Sequence, residues 1–163
     1  MQDGFNWMEV IENLARVLGA LALALPIGWE RERGSSSVGL RTLPVVAMAA
    51  CGFALIGRWA PGADAESQAR IIQGIASGVG FIGGGAILKS GMNVRGTVTA
   101  ATIWNAGAIG IAVAYGSEEI AIVLAVMNFL ILIVLTPLEH KGKPEDIDNR
   151  AARSRTAEND KDP

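Results

Sequence analysis

The groups in this 163-residue chain best suited to chemistry are charges and hydroxyls gathered at the breaks between apolar runs. Glu30 and Arg31 close one run, and Arg41 and Thr42 open the next within Gly39-Leu40-Arg41-Thr42. Lys89, Asn93 and Arg95 fill a later break, and Thr97 and Thr99 follow it. If the runs are helices, Arg41 and Arg95 sit at N-termini, where the backbone already carries partial positive charge and free N–H groups. An arginine is misplaced there without an anion, and Glu30 is misplaced at a C-terminus for the opposite reason. Two resolutions are open. Glu30 can pair with Arg41 or Arg95 across helices. Alternatively Arg41, Lys89 and Arg95, with the threonine hydroxyls and two helix N-termini, can bind an anion such as phosphate or a lipid headgroup.

The elements that must hold these groups follow from composition. Half the residues are hydrophobic and 18% are charged, fewer charges than the roughly 25% of a soluble domain. A membrane span needs about 20 mostly apolar residues. Five runs approach this, at about 8–29, 40–59, 71–88, 96–115 and 120–138. The expected fold is therefore all-α, a polytopic membrane domain over 1–138, followed by a disordered polar tail over 139–163. Glu12 and Arg16 interrupt the first run but are spaced to pair on one helix face. Pro44 lies in the first turn of the second, where a missing N–H matters least. The fifth, rich in Leu, Ile and Val, is expected to face lipid most. The start, Met1-Gln2-Asp3-Gly4, has no basic region, which argues for a retained first helix rather than a cleaved signal peptide.

Eleven Lys and Arg residues fall in the loops and tail on one side of these spans, against Arg58 and Arg70 on the other. That asymmetry predicts an N-terminus outside and a C-terminus in the cytoplasm, as an odd number of spans requires.

The third and fourth spans are crowded with small residues. Gly80 and Gly84 continue a row from Ala76, and Gly74 and Gly78 form another; Thr97, Ala101 and Asn105 form a row on the fourth span, and Ala106 and Gly110 a further one. Such spacings let helix backbones approach closely in lipid. Packing alone explains them. A functional alternative is that Gly83-Gly84-Gly85 breaks the third helix, since irregular backbone at membrane depth lines cavities. Asn105 needs a hydrogen-bond partner on another helix or in a second copy. Trp104 beside it reads as a packing residue, given its depth.

Catalysis has little support. No Ser/His/Asp set, metal-ligand spacing or P-loop occurs; His140, the one histidine, lies outside the spans, and Cys51, the one cysteine, lies inside an apolar run. No cofactor, resident metal or nucleic-acid partner is expected. No acidic residue lies within a predicted span between Thr42 and Ser117, which weakens a magnesium path, because hard divalent cations want carboxylate or carbonyl oxygens. Carbonyls at Gly83–Gly85 could still serve.

Several segments, in order, resemble the MgtC/SapB family of bacterial inner-membrane proteins: Gly28-Trp29-Glu30-Arg31, Gly39-Leu40-Arg41-Thr42, Gly78-Val79-Gly80-Phe81-Ile82-Gly83-Gly84-Gly85-Ala86-Ile87, Gly91-Met92-Asn93-Val94-Arg95-Gly96 and Thr99-Ala100-Ala101-Thr102-Ile103-Trp104. The likeness covers about Leu14 to Leu135. It implies a small multi-pass inner-membrane protein linked to growth in low magnesium and, in pathogens, to survival in macrophages. The best-described member is thought to restrain the F-type ATP synthase rather than carry magnesium. Longer members carry a soluble domain after the fifth helix, where this chain has a short polar tail. Where members usually read Gly-Leu-Thr-Thr-Ala-Ala, this chain has an apolar Val98. The leading expectation is a non-enzymatic modulator that binds a second copy, as a dimer, or a larger complex such as ATP synthase. The alternative is a small magnesium or anion transporter.

Overall fold

A computed structural model describes residues 6–33, 39–90 and 93–140. Among these residues lie five helices, α1 (Trp7–Arg33), α2 (Thr42–Arg58), α3 (Ala65–Gly85), α4 (Thr97–Ala114) and α5 (Glu118–His140). Between α3 and α4 sits an antiparallel hairpin of β1 (Leu88–Ser90) and β2 (Asn93–Arg95), in the register Leu88↔Arg95, Lys89↔Val94 and Ser90↔Asn93. Helices α1 and α4, and α5 as far as Leu135, are long and apolar enough to cross a membrane; α2 is a shorter apolar helix. The all-α membrane architecture expected from the sequence is what the chain forms.

The chain divides into two compact units at Leu132. The first holds α1 to α4 and α5 up to Leu132. In the second, from Ile133, the described residues are the last turns of α5. The tail over 141–163 lies outside the described residues; Glu139 and His140 are helical.

In the first unit α2 and α4 form the centre. Each packs on α1 and α3 and on the other. Their contact faces are built from small residues: Ala47, Ala50, Cys51 and Ala54 on α2, Ala106, Gly110 and Ala114 on α4, all buried. Lipid offers no hydrophobic drive for helices to associate, so close backbone approach and dispersion must supply the attraction. Gly110 shows how close the approach is. A methyl there would lie 2.1 Å from the Ala47 carbonyl oxygen and 2.9 Å from the Cys51 nitrogen. Helix α5 leaves Ile120, Ile122, Val123 and Val126 about half exposed, as a lipid-facing helix would.

Two boundaries differ from the sequence reading. α3 starts at Ala65, six residues before the expected 71, because Asp64 caps it. The Asp64 carboxylate accepts from Ser67 N at 2.8 Å while Asp64 N donates to Ser67 Oγ at 2.9 Å, a reciprocal capping box. The Ser67 N–H holds the Asp64 carboxyl below the ordinary carboxylate range. α3 then runs unbroken through Gly83-Gly84-Gly85 and ends at Gly85. The broken-helix expectation is therefore corrected: the three glycines are helical, and Leu88, expected in the span, belongs to β1.

Candidate functional site

The site is the end of the bundle that carries the hairpin. Its frame is a backbone contact between α1 and the turn before α2. A methyl on Gly28 would come within 3.0 Å of Leu40 Cα, and one on Gly39 within 2.8 Å of the Gly28 carbonyl oxygen. Both positions need glycine for that reason. The approach brings Glu32 to the entry of α2, where it accepts the Leu40 N–H at 3.0 Å. Arg41, the N-cap of α2, offers no side-chain cap, so a carboxylate near free N–H groups there is favourably placed.

Next to Glu32, Arg31 turns the other way. Its Nη2 donates to the Thr99 hydroxyl in the first turn of α4, and Thr99 is 7% exposed. Arg33 lies 5.8 Å from the Trp29 ring centroid, within cation–π reach. The α4 entry is fixed from the far side by Gly96. Its φ is +88°, and a methyl there would lie 2.1 Å from the Ala86 carbonyl oxygen. Gly83 lets α3 rest on α4, since a methyl there would meet the Ala100 carbonyl oxygen at 3.0 Å.

The arrangement differs from the pairing expected on helix-dipole grounds. Among the described residues, Glu30 is half-buried but forms no ion pair with Arg41 or Arg95. Neighbouring residues take those tasks: Arg31 ties α1 to α4, and Glu32 serves α2. Arg41 and Arg95 are exposed, as is Thr97; Thr42 is half-buried. Arg95 pairs with Leu88 at the base of the hairpin. Lys89 and Asn93 are in the strands, and their side chains lie outside the described residues.

The remaining candidates lie along the helices. Asn105, halfway along α4, donates to the Leu124 carbonyl of α5 at 3.4 Å. It lines a groove of about 430 Å³ between α4 and α5 with Thr102 and Asn128. Trp104 is 55% exposed, so the expectation of a packed indole is corrected. Its Cδ1 lies 3.9 Å from where a methyl on Gly80 would stand. Ala101 is exposed. Of the α3 glycines, Gly74, Gly78, Gly84 and Gly85 have open space where a methyl would stand. Gly74 and Gly78 instead line an apolar groove of about 760 Å³ between α2 and α3, with Val45, Phe53, Ile71 and Phe81.

Sequence reasoning passed over one more feature, at the opposite end. Arg16 of α1 and Arg58 of α2 both donate to the Ala114 carbonyl in the last turn of α4, each at 3.0 Å. The spacing of Glu12 and Arg16 signals their ion pair, which forms at 2.5 Å. Nothing in the sequence signals that Arg58 joins them.

Comparison with known proteins agrees with this architecture. The chain is 36% identical to Protein MgtC of Brucella abortus over 132 residues, 81% of this chain and 55% of that protein. It is 36% identical to Protein MgtC of Salmonella typhimurium over 128 residues, 78% of this chain and 54% of that protein. An uncharacterised protein of Synechocystis is 37% identical over 131 residues. The chain thus spans about half the length of the curated relatives it matches. No solved structure matches it. The MgtC family description fits residues 17–141, from the middle of α1 past the end of α5. On that match and on these relatives, the chain belongs to the MgtC family.

Proposed function

We propose that this protein is a non-enzymatic modulator in the bacterial inner membrane, serving the adaptation to low magnesium that its family resemblance implies. In this reading it acts by docking the open face of α3 on another membrane helix, from a second copy or from a larger complex such as ATP synthase. The observation that carries it is the unfilled glycine row. Gly74, Gly78 and Gly85, which share one face of α3, weaken the helix by up to about 1 kcal/mol each against alanine, yet no atom of the chain approaches where their side chains would be. Gly83 and Gly110, by contrast, are occupied by a neighbouring backbone. Glycines on a membrane helix are useful where another helix comes close, so the open row marks where one arrives. The excess of Lys and Arg on the hairpin side supports placing that end in the cytoplasm, with five helices spanning and the N-terminus outside.

The test is Gly78→Leu in the full chain. Membrane abundance stays at the wild-type level, because the space is open, while growth in low magnesium and crosslinking through α3 are lost. Retained growth and crosslinking overturn the docking reading.

A second reading, a small ion or solute carrier, draws on the polar lining of the α4–α5 groove by Thr102, Asn105 and Asn128. Liposomes separate the two. Uptake of magnesium or phosphate that Asn105→Ala abolishes excludes the modulator; crosslinking without uptake supports it.

A further inference from the structure

We propose that Arg16 and Arg58 form a binding site for a phosphate oxyanion at the end of the bundle opposite the hairpin, with a lipid headgroup as the intended source. The site is separate from the Arg41/Arg95 end and from the α3 docking face.

The geometry begins with one oxygen. Both guanidinium groups donate through Nη1 to the Ala114 carbonyl at 3.0 Å, so these two nitrogens lie within about 6 Å of each other whatever the angle between them. One arginine would suffice to satisfy a helix's last carbonyls and to complement the negative end of its dipole. The second brings a like charge into the same small volume, and that arrangement calls for a further anion. Glu12 supplies one, bonded to Arg16 Nη2 at 2.5 Å. The other described carboxylates of this end form no ion pair with Arg58: Glu9 is bonded by the Asn6 amide, Asp64 accepts from Ser67 N, Glu66 is paired with Arg70, and Glu118 and Glu119 form no ion pair among the described residues. Arg58 has no ion pair there either.

The donor inventory matches. Arginine carries five N–H groups in a planar fork suited to two oxygens of a phosphate. Arg58 uses one of them on Ala114 and is exposed; Arg16 uses two and is 21% exposed along its side chain. Trp59, the residue after Arg58, is 57% exposed, and tryptophan favours the headgroup level of a bilayer. Ala114 then acts as the post that sets the fork spacing, and the exposed Arg58 keeps N–H groups beyond its bond to Ala114 for the headgroup.

The experiment uses the full chain in nanodiscs, with binding of a phosphatidylglycerol probe followed by native mass spectrometry. In discs of phosphatidylcholine alone, inorganic phosphate is titrated as the second arm. Expected is retention of phosphatidylglycerol by the wild type, weakened about tenfold in Arg58→Gln, which keeps a donor for Ala114 but loses the charge. Arg70→Gln, which removes an exposed arginine on α3, leaves retention unchanged. A phosphate response of the same size that Arg58→Gln also weakens assigns the site to the free ion rather than the lipid. Equal losses in Arg58→Gln and Arg70→Gln, or no response to either probe, overturn the proposal and leave Arg16 and Arg58 as caps of α4. Should Arg58→Gln fail to fold, Arg58→Lys keeps charge without the fork and is expected to weaken retention by a smaller factor; unchanged retention in it counts against the site.

Discussion

Gly110→Ala is the sharpest test of how this bundle holds together. The added methyl would sit 2.1 Å from the Ala47 carbonyl oxygen, where ordinary contact begins near 3.4 Å. Helix α2 must therefore retreat from α4 by about 1 Å. No flexible side chain can absorb the clash, because both obstacles, Ala47 O and Cys51 N, are backbone. The retreat loosens the whole row of Ala47, Ala50, Cys51 and Ala54 against α4. Overpacking typically costs 1–3 kcal/mol, and a 1 Å gap forfeits up to about half of each dispersion contact along the row. Against this stands a helix-propensity gain of up to about 1 kcal/mol. The net expectation is a loss of about 1–2 kcal/mol. Gly78→Ala is the matched control: the same chemical change with nothing within 4 Å, so the monomer is unchanged or slightly stabilised. Unfolding of purified protein by sodium dodecyl sulfate titration in mixed micelles, read by circular dichroism, measures both. If Gly110→Ala unfolds with wild-type free energy, or if Gly78→Ala is the more damaging in the monomer, the close-packing argument is wrong.

Three further outcomes follow. Gly96→Ala places a side chain at φ +88° and 2.1 Å from Ala86 O; it should displace the hairpin and the start of α4, lowering thermal stability in detergent more than Gly74→Ala does. Asn105→Leu removes the bond to Leu124 and should cost about 0.6–1.7 kcal/mol, the range of interhelical hydrogen bonds in membranes, seen as earlier release of α5 in hydrogen exchange. For Asp64, whose carboxyl is held low by Ser67, the cap's contribution is full above the unfolded value near 3.9 and fades as pH falls through the lower folded value. Protection of the Ser67 amide, its exchange measured against the intrinsic rate at each pH, should therefore fall in acid below about pH 4 in the wild type, and Asp64→Ala should show that loss already at neutral pH.

The apolar runs disclosed the helices because a lipid environment enforces length and composition on each span separately. The cores of α2, α4 and α5 were legible to within a few residues for that reason. The start of α3 was not, since Ala65–Arg70 is polar; the signal present there was Asp64 followed by Ser67, a capping pair rather than hydrophobicity. The hairpin escaped because Ile87 and Leu88 are as apolar as a helix end. At the hairpin end of the bundle, counting charges named the wrong partners. Glu30, Arg31 and Glu32 are consecutive on a helix, so their side chains diverge by about 100° each, and only the helix's rotation decides which one meets α2 and which meets α4. Arg16 and Arg58 were beyond reach altogether, because they converge on a backbone oxygen whose position depends on three helices at once.

The matched arginine contacts also measure the protein. Arg16 reaches Ala114 and Arg31 reaches Thr99, so fifteen residues of α1 lie alongside fifteen of α4. At 1.5 Å per residue that interval is about 22 Å, whereas the hydrocarbon core of a typical bilayer is about 30 Å thick. Charge at both ends of so short an interval leaves the surrounding lipid to thin, or the arginines to stretch outward, at a modest cost per ångström of mismatch. Charges spaced this closely along α1 and α4 favour thin bilayer over thick around that pair of helices.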